Sequence, residues 1–167
     1  IRPLARKLRA AGNFLILSFF STSGPEHLGD DVDYDVLTYL PFDTARAAAE
    51  FARLVKADVF IITKHDLWLN HVYFQRKSGA SLFFVNANFH KKSRLNKWWM
   101  RPYNRFVLSQ FDLIAPVSEL MSQRYQSLLR GIDTRIKVLG ETRFDRVVDR
   151  VKMSNTASLI TQSFSKK

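Results

Sequence analysis

Short apolar runs recur along this chain, and between them the apolar residues fall at helical spacing. The runs are Phe14 to Phe20, Tyr34 to Leu40, Val59 to Thr63, Ser81 to Asn86, Asp112 to Val117 and Arg135 to Leu139. Runs of this length, bounded by Gly, Pro, Asp or Ser, read as strands, and Val59 to Ile62 reads as one buried on both faces. The helical stretches are Leu4 to Ala11, Ala45 to Lys56, Leu67 to Lys77, Trp98 to Gln110 and Glu119 to Leu129. Gly12-Asn13 closes the first, and Asp43 or Thr44 can cap the second. Ser21 to Pro25 is expected to be a loop. Strand and helix in alternation predict an α/β fold, a Rossmann-like parallel sheet with helices on both faces. A doubly wound domain opens on a strand, whereas this chain opens on a helix, so one strand is expected upstream of Ile1. Residues 1–148 are expected to form the domain, and 149–167, rich in Ser and Thr, a linker or terminal tail.

A chain of 167 residues is long enough to bury a core, and 46% hydrophobic residues supply one. There is no Cys, which excludes disulfides and thiolate metal sites. The scattered His27, His65, His71 and His90 show no metal-ligand spacing. A formal net charge of +11 calls for an anionic partner: nucleic acid, phospholipid headgroups or a phosphorylated substrate. No apolar run approaches the roughly 20 residues of a membrane-spanning helix.

The polar cluster after Val59 to Thr63 is the most telling site signal. Lys64, His65, Asp66, Trp68 and Asn70 follow a strand whose carboxyl end is where ligands bind in parallel sheets. Asp66 reads as a general base or substrate-orienting carboxylate, or else as the N-cap of the helix from Leu67. Ser21, Ser23 and Gly24 follow the first strand and can offer hydroxyls and amides to an anion, without any P-loop or dinucleotide pattern. Lys91, Lys92, Arg94, Lys97, Arg101 and Arg105 form an acid-free basic stretch interleaved with Trp98, Trp99 and Tyr103. That composition suits a membrane interface, and equally single-stranded nucleic acid. Two adjacent Trp residues on one helix cannot both face a core.

Several stretches carry a family resemblance together. They are Ser18-Phe19-Phe20-Ser21-Thr22-Ser23-Gly24, Tyr39-Leu40-Pro41-Phe42-Asp43, Lys64-His65-Asp66-Leu67-Trp68-Leu69-Asn70, Val85-Asn86-Ala87, Val117-Ser118-Glu119 and Gly140 to Asp145. In order and spacing they resemble the N-terminal domain of the 3-deoxy-D-manno-octulosonic acid (Kdo) transferases of lipopolysaccharide synthesis. The resemblance implies half of a GT-B glycosyltransferase: an acceptor-binding domain that faces a C-terminal domain binding the donor CMP-Kdo. It implies inverting transfer to a lipid A precursor, with no cofactor and no metal, at the cytoplasmic face of the bacterial inner membrane as a peripheral protein. Nucleic acid is then no partner; a nucleic-acid-binding module is the alternative. The family's principal carboxylate base is implied upstream of Ile1. Asp66 is left as an acceptor-side carboxylate, with Lys64 where the family has an acid. Substrate contacts are implied for Ser21, Ser23, Gly24, Trp68, Asn70, Asn86, Ser118, Glu119 and Arg143. Lipid or phosphate contacts are implied for Lys91, Lys92, Arg94, Lys97 and Trp98. Alone, this half is expected not to transfer sugar.

Overall fold

The computed structural model describes residues 2–26, 28, 34–64, 67–89 and 97–140. Among the described residues six strands and six helices alternate: α1 (Arg2–Ala10), β1 (Ile16–Phe19), α2 (Ser23–Glu26), β2 (Val36–Tyr39), α3 (Ala45–Val55) and β3 (Val59–Thr63) come first. Next are α4 (Leu69–Lys77), β4 (Ser81–Ala87), α5 (Arg101–Leu108), β5 (Leu113–Pro116), α6 (Glu119–Leu128) and β6 (Arg135–Ile136). Every pairing is parallel, as the buried-strand pattern predicts. The strands form two sheets, β1-β2 and β3-β4-β5-β6.

The core lies on the larger sheet. Leu82 and Phe84 of β4 and Ile114 of β5 are almost wholly buried. Against them pack Val72 of α4, Val107 and Leu108 of α5, and Tyr125 and Leu128 of α6. Each such large side chain contributes about 1.5–3 kcal/mol on burial. Alternation along β4 explains the choice of residues, since Leu82 and Phe84 share one face. Helix α3 is Ala-rich, and its Ala48 and Ala52 are buried where small side chains let helices approach closely. Thr44 caps α3, its hydroxyl accepting from the Ala47 amide at 3.3 Å.

Four expectations need correction. The segment 21–25 is not all loop: Ser23–Glu26 makes one helical turn. The stretch from Trp98 is not one helix: Trp98–Met100 is a 3-10 turn and α5 begins at Arg101, with Pro102 at its start, where a missing amide costs nothing. Helix α4 starts at Leu69, two residues later than its apolar pattern suggests, so Asp66 is not its N-cap. Finally, β3 is not buried on both faces. Only Ile62 is fully buried, and Val59 is 51% exposed, because among the described residues β3 is an edge strand, paired with β4 alone.

Candidate functional site

The chain ends of β1, β2 and β3 meet through aromatic and polar contacts. Phe20, one residue past β1, stacks on Trp68, which stands just ahead of α4, with ring centroids 4.5 Å apart and planes 30° apart. Phe42, from the β2–α3 loop, meets Phe20 edge to face at 5.9 Å. Phe20 and Phe42 remain exposed, so an aromatic shelf stands open at this edge. Offset and edge-to-face pairs of this kind each add about 0.5–1.5 kcal/mol beyond area burial.

Asp43 is the polar centre beneath the shelf. Its Oδ1 accepts from the backbone amides of Asn70 at 3.0 Å and His71 at 3.1 Å. A carboxylate at a helix N-terminus satisfies amides that have no partner within the helix and meets the positive end of the dipole. Asn70 closes the exchange, its Nδ2 donating to the Asp43 carbonyl at 2.7 Å. His71 is buried, and its Nε2 lies 2.9 Å from the Pro41 carbonyl. A carbonyl only accepts, so Nε2 carries a proton and donates it. His71 and Phe51 of α3 meet in a T-shaped contact, ring centroids 5.7 Å apart. Tyr103 of α5 has its phenol pKa raised, first by burial and then by the nearby Asp43 carboxylate.

The sequence-derived residues fall into three groups. Trp68 and Asn70 are in this constellation. Lys64, in the left-handed region at φ 70, turns the chain away from β3 while its amide still donates to Val85 at 3.1 Å. Asp66, His65, Lys91, Lys92, Arg94 and Arg143 lie outside the described residues.

The remaining candidates have local structural partners. The Ser21 and Ser23 hydroxyls lie 3.0 Å apart, so each is within hydrogen-bond reach of the other. Gly24 has a packing reason to be glycine: a Cβ there would overlap the Phe19 ring. Asn86, next to last in β4, is in the left-handed region at φ 52, which Asn tolerates, and falls within a register shift between Val85 and Ala87. Ser118 is the N-cap of α6, with the Met121 amide at 3.5 Å, and Glu119 stands in the first turn, where the dipole favours an acid. Trp98 and Trp99 are 76% and 57% exposed, so neither serves the core. They meet edge to face at 6.0 Å, and the Lys97 ammonium lies 4.9 Å from the Trp99 ring centre. Arg105 is used differently from its basic neighbours. Its guanidinium donates to the carbonyls of Leu128 and Arg130, covering the open end of α6.

Phe20, Phe42 and His71 are members of the site that residue-by-residue reading did not single out. One signal for Asp43 was present: Asp43-Thr44 puts two capping residues before one helix, and only one is needed there. Among the described residues no group of three or more His, Asp or Glu gathers as metal donors. Among the same residues, no helix is long and apolar enough to cross a membrane.

Comparison with known proteins gives the chain a family. The sequence profile of the family described as 3-Deoxy-D-manno-octulosonic-acid transferase (kdotransferase) matches residues 1–146. The chain belongs to the Kdo transferase family. A curated relative, "Probable 3-deoxy-D-manno-octulosonic acid transferase, mitochondrial" from Arabidopsis thaliana, is 30% identical over 123 residues. That match covers 72% of this chain and 27% of the relative, so the chain spans about a quarter of that relative's length. The family match takes in the β1 end, the Pro41–Asp43 loop and the α4 start, the three segments that build the aromatic shelf.

Proposed function

We propose that this chain is the acceptor-binding half of a glycosyltransferase that moves Kdo from CMP-Kdo to a lipid A precursor. Membership of residues 1–146 in the Kdo transferase family carries the reading. The shelf of exposed Phe20 and Phe42, backed by half-buried Trp68, supports it: rings at the carboxyl ends of parallel strands are where a sugar acceptor's apolar face can pack. Asp43, Asn70 and His71 hold that shelf in place from below.

In the proposed reaction a carboxylate takes the proton of an acceptor hydroxyl. The freed oxygen forms a bond to the anomeric carbon of Kdo, and the bond from that carbon to the phosphate oxygen breaks, its electron pair leaving on CMP. Attack opposite the leaving group inverts the anomeric centre, and the mechanism asks for no metal or cofactor. The principal base belongs to the part of the protein ahead of Ile1, and Asp66 orients the acceptor. Residues 1–148 act as the acceptor domain and 149–167 as a linker towards a donor-binding domain, without which this chain transfers nothing.

Lys91, Lys92, Arg94 and Lys97 engage the acceptor's phosphates or anionic headgroups, with Trp98 at headgroup depth. The protein sits peripherally at the cytoplasmic face of the bacterial inner membrane. The test is transfer itself. The full-length protein is incubated with CMP-Kdo and lipid A precursor in mixed micelles containing a chelator, and the acceptor is weighed by mass spectrometry. The acceptor should gain one or more Kdo residues. An acceptor mass that stays unchanged with fresh donor contradicts the proposal.

A further inference from the structure

Beside the aromatic shelf one carboxylate oxygen is left over. Asp43 Oδ1 takes the amides of Asn70 and His71, whereas Oδ2 accepts no hydrogen bond among the described residues. The buried atoms without a partner among those residues do not include Oδ2, so it opens on solvent. The residue before it, Phe42, is 77% exposed, so ring and free oxygen stand side by side on one short loop.

Tyr103 brings a second group to the same opening. The buried Asn104, Val107 and Leu108 mark the inward face of α5, and Tyr103 stands off that face, 38% exposed. Its phenol pKa is raised by burial and then by the Asp43 charge, so the hydroxyl keeps its proton and stays a donor. The carboxylate is therefore near enough to act on the phenol. Yet the hydrogen bonds of the Asp43 side chain go to α4, and none joins it to Tyr103 among the described residues.

An acceptor and a donor that feel each other without touching leave room for a bridging group. The chemistry of that group is narrow. A phosphate meets the carboxylate as a like charge. An ammonium donates to Asp43 but has nothing with which to accept from the phenol. A hydroxyl does both. The exposed rings of Phe42 and Phe20 beside it take an apolar C–H face. An apolar face with hydroxyls at its rim describes a sugar, and a few fixed polar groups beside apolar surface are how such a ligand is oriented.

We propose that Asp43 and Tyr103 clasp one hydroxyl of the acceptor's sugar, which donates to Asp43 Oδ2 and accepts from Tyr103 Oη while the sugar lies against Phe42. This inference rests on the acceptor-binding reading above and deepens it. The clasped hydroxyl keeps its proton and is not the one that attacks. Asp43 thereby serves two ends on separate oxygens: Oδ1 caps α4, and Oδ2 meets the ligand. The clasp takes the neutral part of the acceptor and leaves its phosphates to the basic stretch around Lys97.

The test uses the full-length protein with saturating CMP-Kdo and lipid A precursor varied in mixed micelles. Asp43→Asn keeps an oxygen for the α4 amides but sets a donor in place of Oδ2, and Tyr103→Phe removes only the hydroxyl. Each should raise the KM for precursor about tenfold, with kcat and the KM for CMP-Kdo unchanged. Precursor binding without donor should weaken by the same factor. One hydroxyl joins both side chains, so the double variant should lose about twentyfold rather than the roughly hundredfold of two independent contacts. Thermal unfolding checks that each variant is folded, and if Asp43→Asn does not fold, Tyr103→Phe decides alone. Unchanged KM and binding in Tyr103→Phe, while the unaltered protein still transfers Kdo, overturns the clasp and leaves the transferase reading standing. A full hundredfold loss in the double variant puts the two side chains on separate groups and also overturns it. An unaltered protein that neither binds the precursor nor transfers Kdo overturns both.

Discussion

Asp43 and Asn70 hold each other twice: the Asp43 carboxylate accepts the Asn70 amide at 3.0 Å, and the Asn70 side chain donates to the Asp43 carbonyl at 2.7 Å. The pair spans 27 residues of sequence and joins the β2–α3 loop to the start of α4. Trp68 sits at the N-cap position of α4 without a side-chain cap bond of its own. The capping comes from Asp43, which lets an aromatic residue occupy the helix entrance and face the shelf.

Replacing Asp43 by Ala should therefore cost about 1–2 kcal/mol in denaturant unfolding, the usual cost of a lost N-cap. Asp43→Asn keeps an accepting oxygen and should retain most of the stability. If Asp43→Ala unfolds at the wild-type midpoint, the cap is not supporting α4.

Tyr125 is wholly buried, and its hydroxyl has no partner among the described residues. Tyr125→Phe should leave stability unchanged or raise it by about 1–2 kcal/mol, because an unpaired buried hydroxyl is costly. Burial pushes the Tyr125 phenol well above the usual 10.0. The unfolded chain loses this proton near pH 10 and the folded protein keeps it, so stability falls as pH rises from there towards the folded-state value. Urea titrations at pH 8 and pH 11 should show a larger drop for the wild type than for Tyr125→Phe. Equal drops would show that the phenol titrates normally.

The strand-and-helix alternation was legible because β4 and β5 carry apolar runs too regular to be anything else. The start of α4 was not, because its cap comes from Asp43, distant in sequence, and no local pattern marks it. The burial of β3 was misread for a related reason. An apolar run reports what a strand is built to touch, and an open strand edge, as β3 has among the described residues, is invisible to periodicity. Trp98 and Trp99 were legible, since adjacent indoles cannot share one inward face. Gly24 also has a packing reason, since a Cβ there would overlap the Phe19 ring, and only coordinates show that contact.

Trp98 and Trp99 give the membrane reading a direct test. Removing both indoles by Trp98→Ala with Trp99→Ala should weaken binding of the full-length protein to anionic vesicles about tenfold, or roughly 1.4 kcal/mol. The change should be nearly silent in thermal unfolding, because both rings are exposed. Undiminished vesicle binding would remove these two residues from the interface.

The measurement that bears most directly on the central claim is acceptor binding without donor. The full-length protein is titrated with lipid A precursor in the absence of CMP-Kdo, alongside Trp68→Ala and a single-stranded oligonucleotide. Saturable binding of the precursor is predicted, weakened about tenfold or more by loss of the Trp68 ring. Binding to the oligonucleotide should be weaker than binding to the precursor. Tighter binding to the oligonucleotide, with affinity falling steeply as salt rises, would contradict the claim that this chain is the acceptor half of a Kdo transferase.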